Sequence, residues 1–211
     1  MAAVSVVLEH PVDRADELRG GAGRVRFLEI APTRAVMIDG EGQVGEAAFA
    51  SRMPGLYATA YGLHFALKRR GIERRAGLLE GLYWTADGST DLDAILGPDR
   101  DTWRWTLLIA LPDEATDAEL EAALVAGRAK VSPDVAAGLR IERFAEGAVA
   151  QVLHLGPYAE ERPTIEALHA AIASAGLWPT GRHHELYLGD PRRSAPERLK
   201  TLLRQPVATQ G

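Results

Sequence analysis

The feature that most constrains this chain is a repeat within it. Val36-x-x-x-Gly40 is matched by Val152-x-x-x-Gly156, and after each comes a helical pattern closing on a glycine, Gly71 or Gly176. After each helix the chain returns in an extended segment carrying Leu-Tyr, Leu82-Tyr83 in the first copy and Leu186-Tyr187 in the second. Four matching features in the same order predict a βαββ unit used twice, the first copy carrying extra residues before its helix. Two such units predict an α+β fold: an antiparallel sheet, helices on one face, and a central ligand cleft between the copies.

Local signals fill in this outline. Strands are expected at Phe27 to Ile30 and Ala35 to Ile38, followed by a turn at Asp39-Gly40-Glu41-Gly42. A helix is expected from Pro54 to Arg70, opened by proline and closed by Gly71. Leu56, Ala60, Leu63 and Leu67 form its apolar stripe, and Tyr57, Tyr61 and Phe65 form an aromatic one beside it. Strands at Leu79 to Thr85 and Trp103 to Leu111 flank a loop at Ala86 to Ser89. Thr116 and Glu119 make a capping box for a helix reaching Lys130. Leu139 to Phe144 and Ala148 to Leu155 read as a hairpin turning at Glu146-Gly147. Pro163 opens a helix with Ile165, Leu168 and Ile172 on one face, and His183 to Leu188 is a strand. A second capping box, Ser194 to Glu197, predicts a short helix ending before Pro206. The glycine-rich residues 1–24 read as a flexible lead-in to one domain spanning 25–207.

Composition excludes several classes. The 211 residues are 46% hydrophobic and 25% charged, ordinary values for a chain that buries a core. No apolar run is long enough to span a membrane, and the N-terminus lacks a basic region followed by an apolar core, so no signal peptide is expected. With no cysteine there is no disulfide, thiol nucleophile or thiolate metal site, which fits a cytoplasmic protein. The net charge of −5 and scattered basic residues argue against nucleic acid as a partner. Lys68-Arg69-Arg70 reads as a helix C-terminus, where cations offset the dipole.

The strand His183-His184-Glu185-Leu186-Tyr187-Leu188 alternates. His183, Glu185 and Tyr187 share one face, and His184, Leu186 and Leu188 share a more apolar one. If the apolar face packs on helices, Glu185 points into the cleft. A carboxylate there serves as a general base or as the counter-charge of a cationic ligand; its plain alternative is a solvated strand residue. Tyr57 and Tyr61 wall the cleft or pack in the core. Trp84 and Trp105 are candidate stacking surfaces, and Tyr83 competes with Trp84 for the cleft-facing position, the Leu-Tyr alignment favouring Tyr83. The same alignment sets Glu185 opposite Gly81, so one copy brings the charge and the other brings room. No HExxH, phosphate-loop or GxSxG pattern is present, and neither metal nor cofactor is expected.

Val36-Met37-Ile38-Asp39-Gly40-Glu41-Gly42, Leu79-Glu80-Gly81-Leu82-Tyr83-Trp84, Trp105-Thr106-Leu107, His154-Leu155-Gly156-Pro157-Tyr158 and the run from His183 to Arg193 resemble the GyrI-like small-molecule-binding proteins. So does the closing stretch from Ala195 to Pro206. The resemblance spans Phe27 to Val207 and implies the duplicated βαββ fold. The family includes effector domains of multidrug-responsive activators, which bind lipophilic cations near a buried glutamate that matches Glu185. Its stand-alone branch includes hydrolases that open the cyclopropane ring of DNA-alkylating antibiotics, and its founding member inhibits DNA gyrase. No helix-turn-helix segment precedes the match.

Three functions follow as expectations. In the first, a hydrolase, Glu185 holds or deprotonates water and Tyr61 or Tyr57 donates to the developing oxyanion. An aromatic or lipophilic ligand is then bound by Tyr57, Tyr61, Phe65, Tyr83, Trp84, Trp105, His183, Glu185 and Tyr187. The second is a binder that sequesters lipophilic cations without changing them. The third is a modulator of gyrase or another protein, which predicts an exposed apolar patch.

Overall fold

The computed structural model describes residues 6–11, 13–42, 47–88 and 103–209 and divides the chain into two units. The terminal unit comprises Met1–Ala31, Leu82–Pro98 and Ala145–Gly211, and the central unit Pro32–Gly81 and Asp99–Phe144. Among the described residues no helix is long and apolar enough to cross a membrane.

In the central unit β2 (Thr33–Glu41) pairs antiparallel with β4 (Arg104–Ala110), in the register Ala35↔Ala110 to Glu41↔Arg104. On its other edge β2 pairs with β5 (Arg140–Phe144). The expected turn at Asp39 does not form there; the strand runs on through Glu41 and turns at Gly42, whose φ is +89°. Trp105 is the cause. Its ring lies on Gly40, where a Cβ would stand 2.1 Å from the indole, so glycine serves close packing and not a turn. After the short helix α2 (Ala47–Ala50) comes α3 (Met53–Arg69), with Pro54 in its first turn and Gly71 beyond its end at φ +77°. Its buried stripe is Leu56, Ala60, Leu63 and Leu67. It packs on α4 (Asp117–Arg128), which opens with the Thr116–Glu119 capping box and is followed by α5 (Pro133–Gly138).

β3 (Leu79–Trp84) begins in the central unit and ends in the terminal one. In the terminal unit β6 (Gly147–Leu155) lies between β1 (Arg26–Ile30) and β9 (Lys200–Thr209). β9 also pairs with β8 (His183–Tyr187) and with the short β7 (Leu177–Pro179). The two copies therefore share a strand order, β5-β2-β4-β3 and β1-β6-β9-β8, which bears out the duplicated βαββ reading. The crossover helix of the second copy, α6 (Arg162–Ser174), lays Ile165, Leu168 and Ile172 on Ala150 and Val152 of β6 and Leu203 and Val207 of β9. Each of the Ile, Leu and Val side chains among them contributes roughly 1.5–3 kcal/mol on burial.

Two sequence expectations are corrected here. Ser194 to Glu197 opens only a 3₁₀ turn, Pro196–Arg198, before the chain becomes β9. The alternation of Leu202 and Arg204 with Leu203, Gln205 and Val207 is a strand period, and pairing on both edges overrides the cap. The described part of the lead-in is tied down. Glu9 exchanges backbone hydrogen bonds with Phe27 and Glu29, Asp13 caps the short helix α1 (Arg14–Glu17), and Gly20 lies against Leu153 and Leu202. Gly20 permits this approach, since a Cβ would fall 2.5 Å from Leu202.

Candidate functional site

The register of β8 against β9 decides what Glu185 can do. Glu185 pairs with Leu203 and Tyr187 with Thr201, so both share the sheet face on which α6 packs. This reverses the expected orientation, in which the His184/Leu186 face met the helices. That face instead meets the N-terminal segment. The physical reason is a buried charge network around Arg204, which is 1% exposed. Arg204 donates to Gln151 Oε1 (2.5 Å), Glu146 Oε2 (3.1 Å) and Glu17 Oε1 (2.9 Å). His184 Nδ1 lies 2.7 Å from Glu146 Oε1. Burial alone would raise the Glu146 carboxyl, but the adjacent His184 and Arg204 hold it down at about 2.

On the other face, three groups form a chain. Tyr187 donates its hydroxyl to Glu185 Oε2 at 2.7 Å. The Tyr83 and Tyr187 hydroxyls are 2.5 Å apart. Tyr187 has a single proton, already given to Glu185, so Tyr83 is the donor of the second bond. Burial first, and then the negative charge of Glu185, push both phenols well above their ordinary range. They therefore stay protonated and serve as fixed donors. Tyr158, in the turn before α6, sets its ring edge-on to Tyr187 with centroids 5.5 Å apart. Glu161, 6% exposed, adds a second negative charge that also raises Tyr83.

Glu185 is 13% exposed, and its other oxygen, Oε1, stands 3.6 Å from His183 Nε2. No Lys or Arg pairs with it among the described residues. Neither does any group of three or more His, Asp or Glu side chains stand together as a metal site there.

The other expected site residues lie as follows. Of the two candidates on β3, Tyr83 joins Glu185. Trp84 points to the opposite face of the strand, with the Arg182 guanidinium 3.7 Å above its ring. Trp105 is wholly buried in the central unit, donating its indole N–H to Gly42 O at 3.1 Å and packing edge-on to Phe49, so it has no exposed face to offer a ligand. Tyr57, Tyr61 and Phe65 make an aromatic row on α3 with successive centroids 6.3 and 6.5 Å apart. Tyr61 and Phe65 are about half exposed. Phe65 borders an open groove of about 510 Å³ floored by Ala118, Ala122 and Ala126 of α4. Tyr158 and Glu161 were missed as site residues. Their signal was the glycine at Gly156, whose φ of +127° turns the chain so that the next residues reach β8.

A family model for the GyrI-like small molecule binding domain matches residues 107–208. No curated protein matches the chain. An uncharacterized conserved protein from Listeria innocua of known structure is 33% identical over 89% of this chain and 93% of its own, with a TM-score of 0.75. Two structures of hydrolases from the same organism are each 29% identical. One covers 94% of this chain and 99% of its own (TM-score 0.73), the other 96% and 100% (TM-score 0.74). Together with the duplicated strand order and the ordered motifs, these matches place the sequence: the chain belongs to the GyrI-like small-molecule-binding family.

Proposed function

We propose that the chain binds flat aromatic or lipophilic compounds at Glu185 and detoxifies them by hydrolytic opening of a cyclopropane ring. The observation that carries this reading is the state of the carboxylate. One oxygen is fixed by the Tyr83–Tyr187 hydroxyl chain, and the other stands 3.6 Å from His183 Nε2 with no Lys or Arg paired to it among the described residues. A carboxylate oriented through one oxygen keeps the other in place as a general base. The hydrolase relatives from Listeria innocua support the same class of chemistry.

The reaction requires little beyond orientation. In a cyclopropane conjugated to a dienone, a water oxygen bonds to the ring methylene as Glu185 accepts the proton. The ring carbon–carbon bond breaks, and its electron pair passes through the dienone to the carbonyl oxygen. That oxygen then takes a proton, leaving a phenol and a primary alcohol, so substrate plus one water balances product. Relief of ring strain and gain of aromaticity drive the step.

A second reading, sequestration of lipophilic cations, is favoured by the two carboxylates Glu185 and Glu161 set among Tyr83, Tyr158 and Tyr187. Negative charge beside ring faces suits an organic cation. Incubating the protein with a cyclopropane-bearing dienone and following its absorbance separates the two. Wild type is expected to turn it over and Glu185→Gln to lose about 100-fold or more in rate. Turnover by Glu185→Gln at the wild-type rate refutes the mechanism, and binding without turnover by wild type leaves the sequestering reading.

A further inference from the structure

We propose that His183 and Glu185 together hold the water consumed at this site, which makes His183 a second catalytic residue; this rests on the hydrolytic reading above. The His183 ring is 2% exposed, yet neither of its nitrogens meets a hydrogen-bond partner among the described residues. A neutral imidazole carries one N–H donor and one acceptor, and leaving a buried polar atom unsatisfied forfeits its hydration. Buried polar groups without a protein partner are met by ordered water, which needs two to four polar contacts.

The surroundings supply those contacts. Gln205 on β9, fully buried, spends its amide N–H₂ on Thr180 O at 2.7 Å and leaves its Oε1 without a donor. The β8–β9 register puts Gln205 beside His183 on the same face. From α6, His169 presents an Nε2 that also lacks a partner, and burial, then the proximity of His183, lowers its proton affinity. Glu185 Oε1 completes the group. At 3.6 Å from His183 Nε2 it is too far for a direct hydrogen bond, and one water can touch both.

A neutral His183 with its N–H on Nδ1 leaves Nε2 as an acceptor. A water between Nε2 and Oε1 donates one O–H to each, and both of its lone pairs remain for attack on the ring methylene. As that bond forms, the proton on the Glu185 side passes to Oε1. Glu185 Oε2 stays fixed by Tyr187 throughout.

The test uses His183→Phe, which keeps a ring but no nitrogen, and His183→Gln, which still holds a water. Three measurements are made: dienone turnover, the Kd of a flat cationic dye, and a high-resolution crystal structure of the ligand-free wild type. His183→Phe is expected to lose about 100-fold in kcat, a far larger change than in the dye Kd, while His183→Gln regains a large part of that rate. The crystal structure is expected to show a water within hydrogen-bonding distance of both His183 Nε2 and Glu185 Oε1. Absence of that water, or wild-type kcat in His183→Phe, overturns the proposal. If His183→Phe does not fold, His183→Gln takes its place, and a wild-type pH–rate profile unchanged in it overturns the proposal. Should the wild type turn over no dienone, the hydrolytic reading fails on that result alone, and the crystal structure still decides whether the water site exists.

Discussion

Replacing Glu146 by Gln is expected to destabilise the protein in a way that depends on pH. Glu146 is buried between His184 and Arg204, at 2.7 and 3.1 Å. Its carboxyl sits at about 2 in place of an ordinary 4.5. At about 1.36 kcal/mol per pH unit, that gap corresponds to about 3 kcal/mol of stability. Because the folded value is the lower one, this stability is fully present above about pH 4.5 and is lost as the pH falls towards 2. Glutamine also leaves Arg204 and His184, 1% and 0% exposed, short of a partner. Removing one member of a buried pair costs about 3–5 kcal/mol. Urea unfolding of both proteins at pH 7, 5, 4 and 3, with m-values compared, is the assay. The variant should be less stable by about 3–5 kcal/mol at pH 7, and the difference should shrink steadily below pH 5. A difference under about 1 kcal/mol at pH 7, or one that stays constant down to pH 3, refutes the claim that the ionised Glu146 is what the network stabilises.

Two further substitutions probe other parts of the structure. Tyr187→Phe removes the donor to Glu185 and the acceptor of the buried Tyr83 hydroxyl; a loss of about 1–3 kcal/mol in urea unfolding is expected, with weaker ligand binding. Gly40→Ala drives a Cβ into the Trp105 ring, which has no room to retreat, and should cost about 1–3 kcal/mol with a change in tryptophan emission.

The fold was largely legible because its repeat is written in local chemistry. Pro163 at a helix start, Gly71 and Gly176 at helix ends and the Thr116–Glu119 box act within one turn, and the structure honours all of them. Where a residue answers to a distant neighbour, sequence reasoning failed. Gly40 reads as a turn glycine until Trp105, far along the chain, is seen lying on it. Gly20 reads as looseness until its backbone meets Leu202. The second capping box is overruled by two strand partners that no local pattern announces.

The orientation of Glu185 shows the same limit from the functional side. Alternation along β8 correctly groups His183, Glu185 and Tyr187, but it cannot say which face meets the helix. The sequence offered a rule of thumb, apolar face towards helices, and His184 and Leu186 fit that description. The deciding residues are polar and remote: Arg204, Glu146, Glu17 and Gln151 make the His184 face a buried ionic layer covered by the N-terminal segment. A fully paired layer of that kind satisfies His184. His183, one residue away on the other face, is left with unmet nitrogens beside a carboxylate. Two adjacent histidines thus acquire opposite roles from their surroundings alone. The one whose hydrogen bonds are complete belongs to the buried ionic layer, and the other keeps its nitrogens for the water proposed beside Glu185.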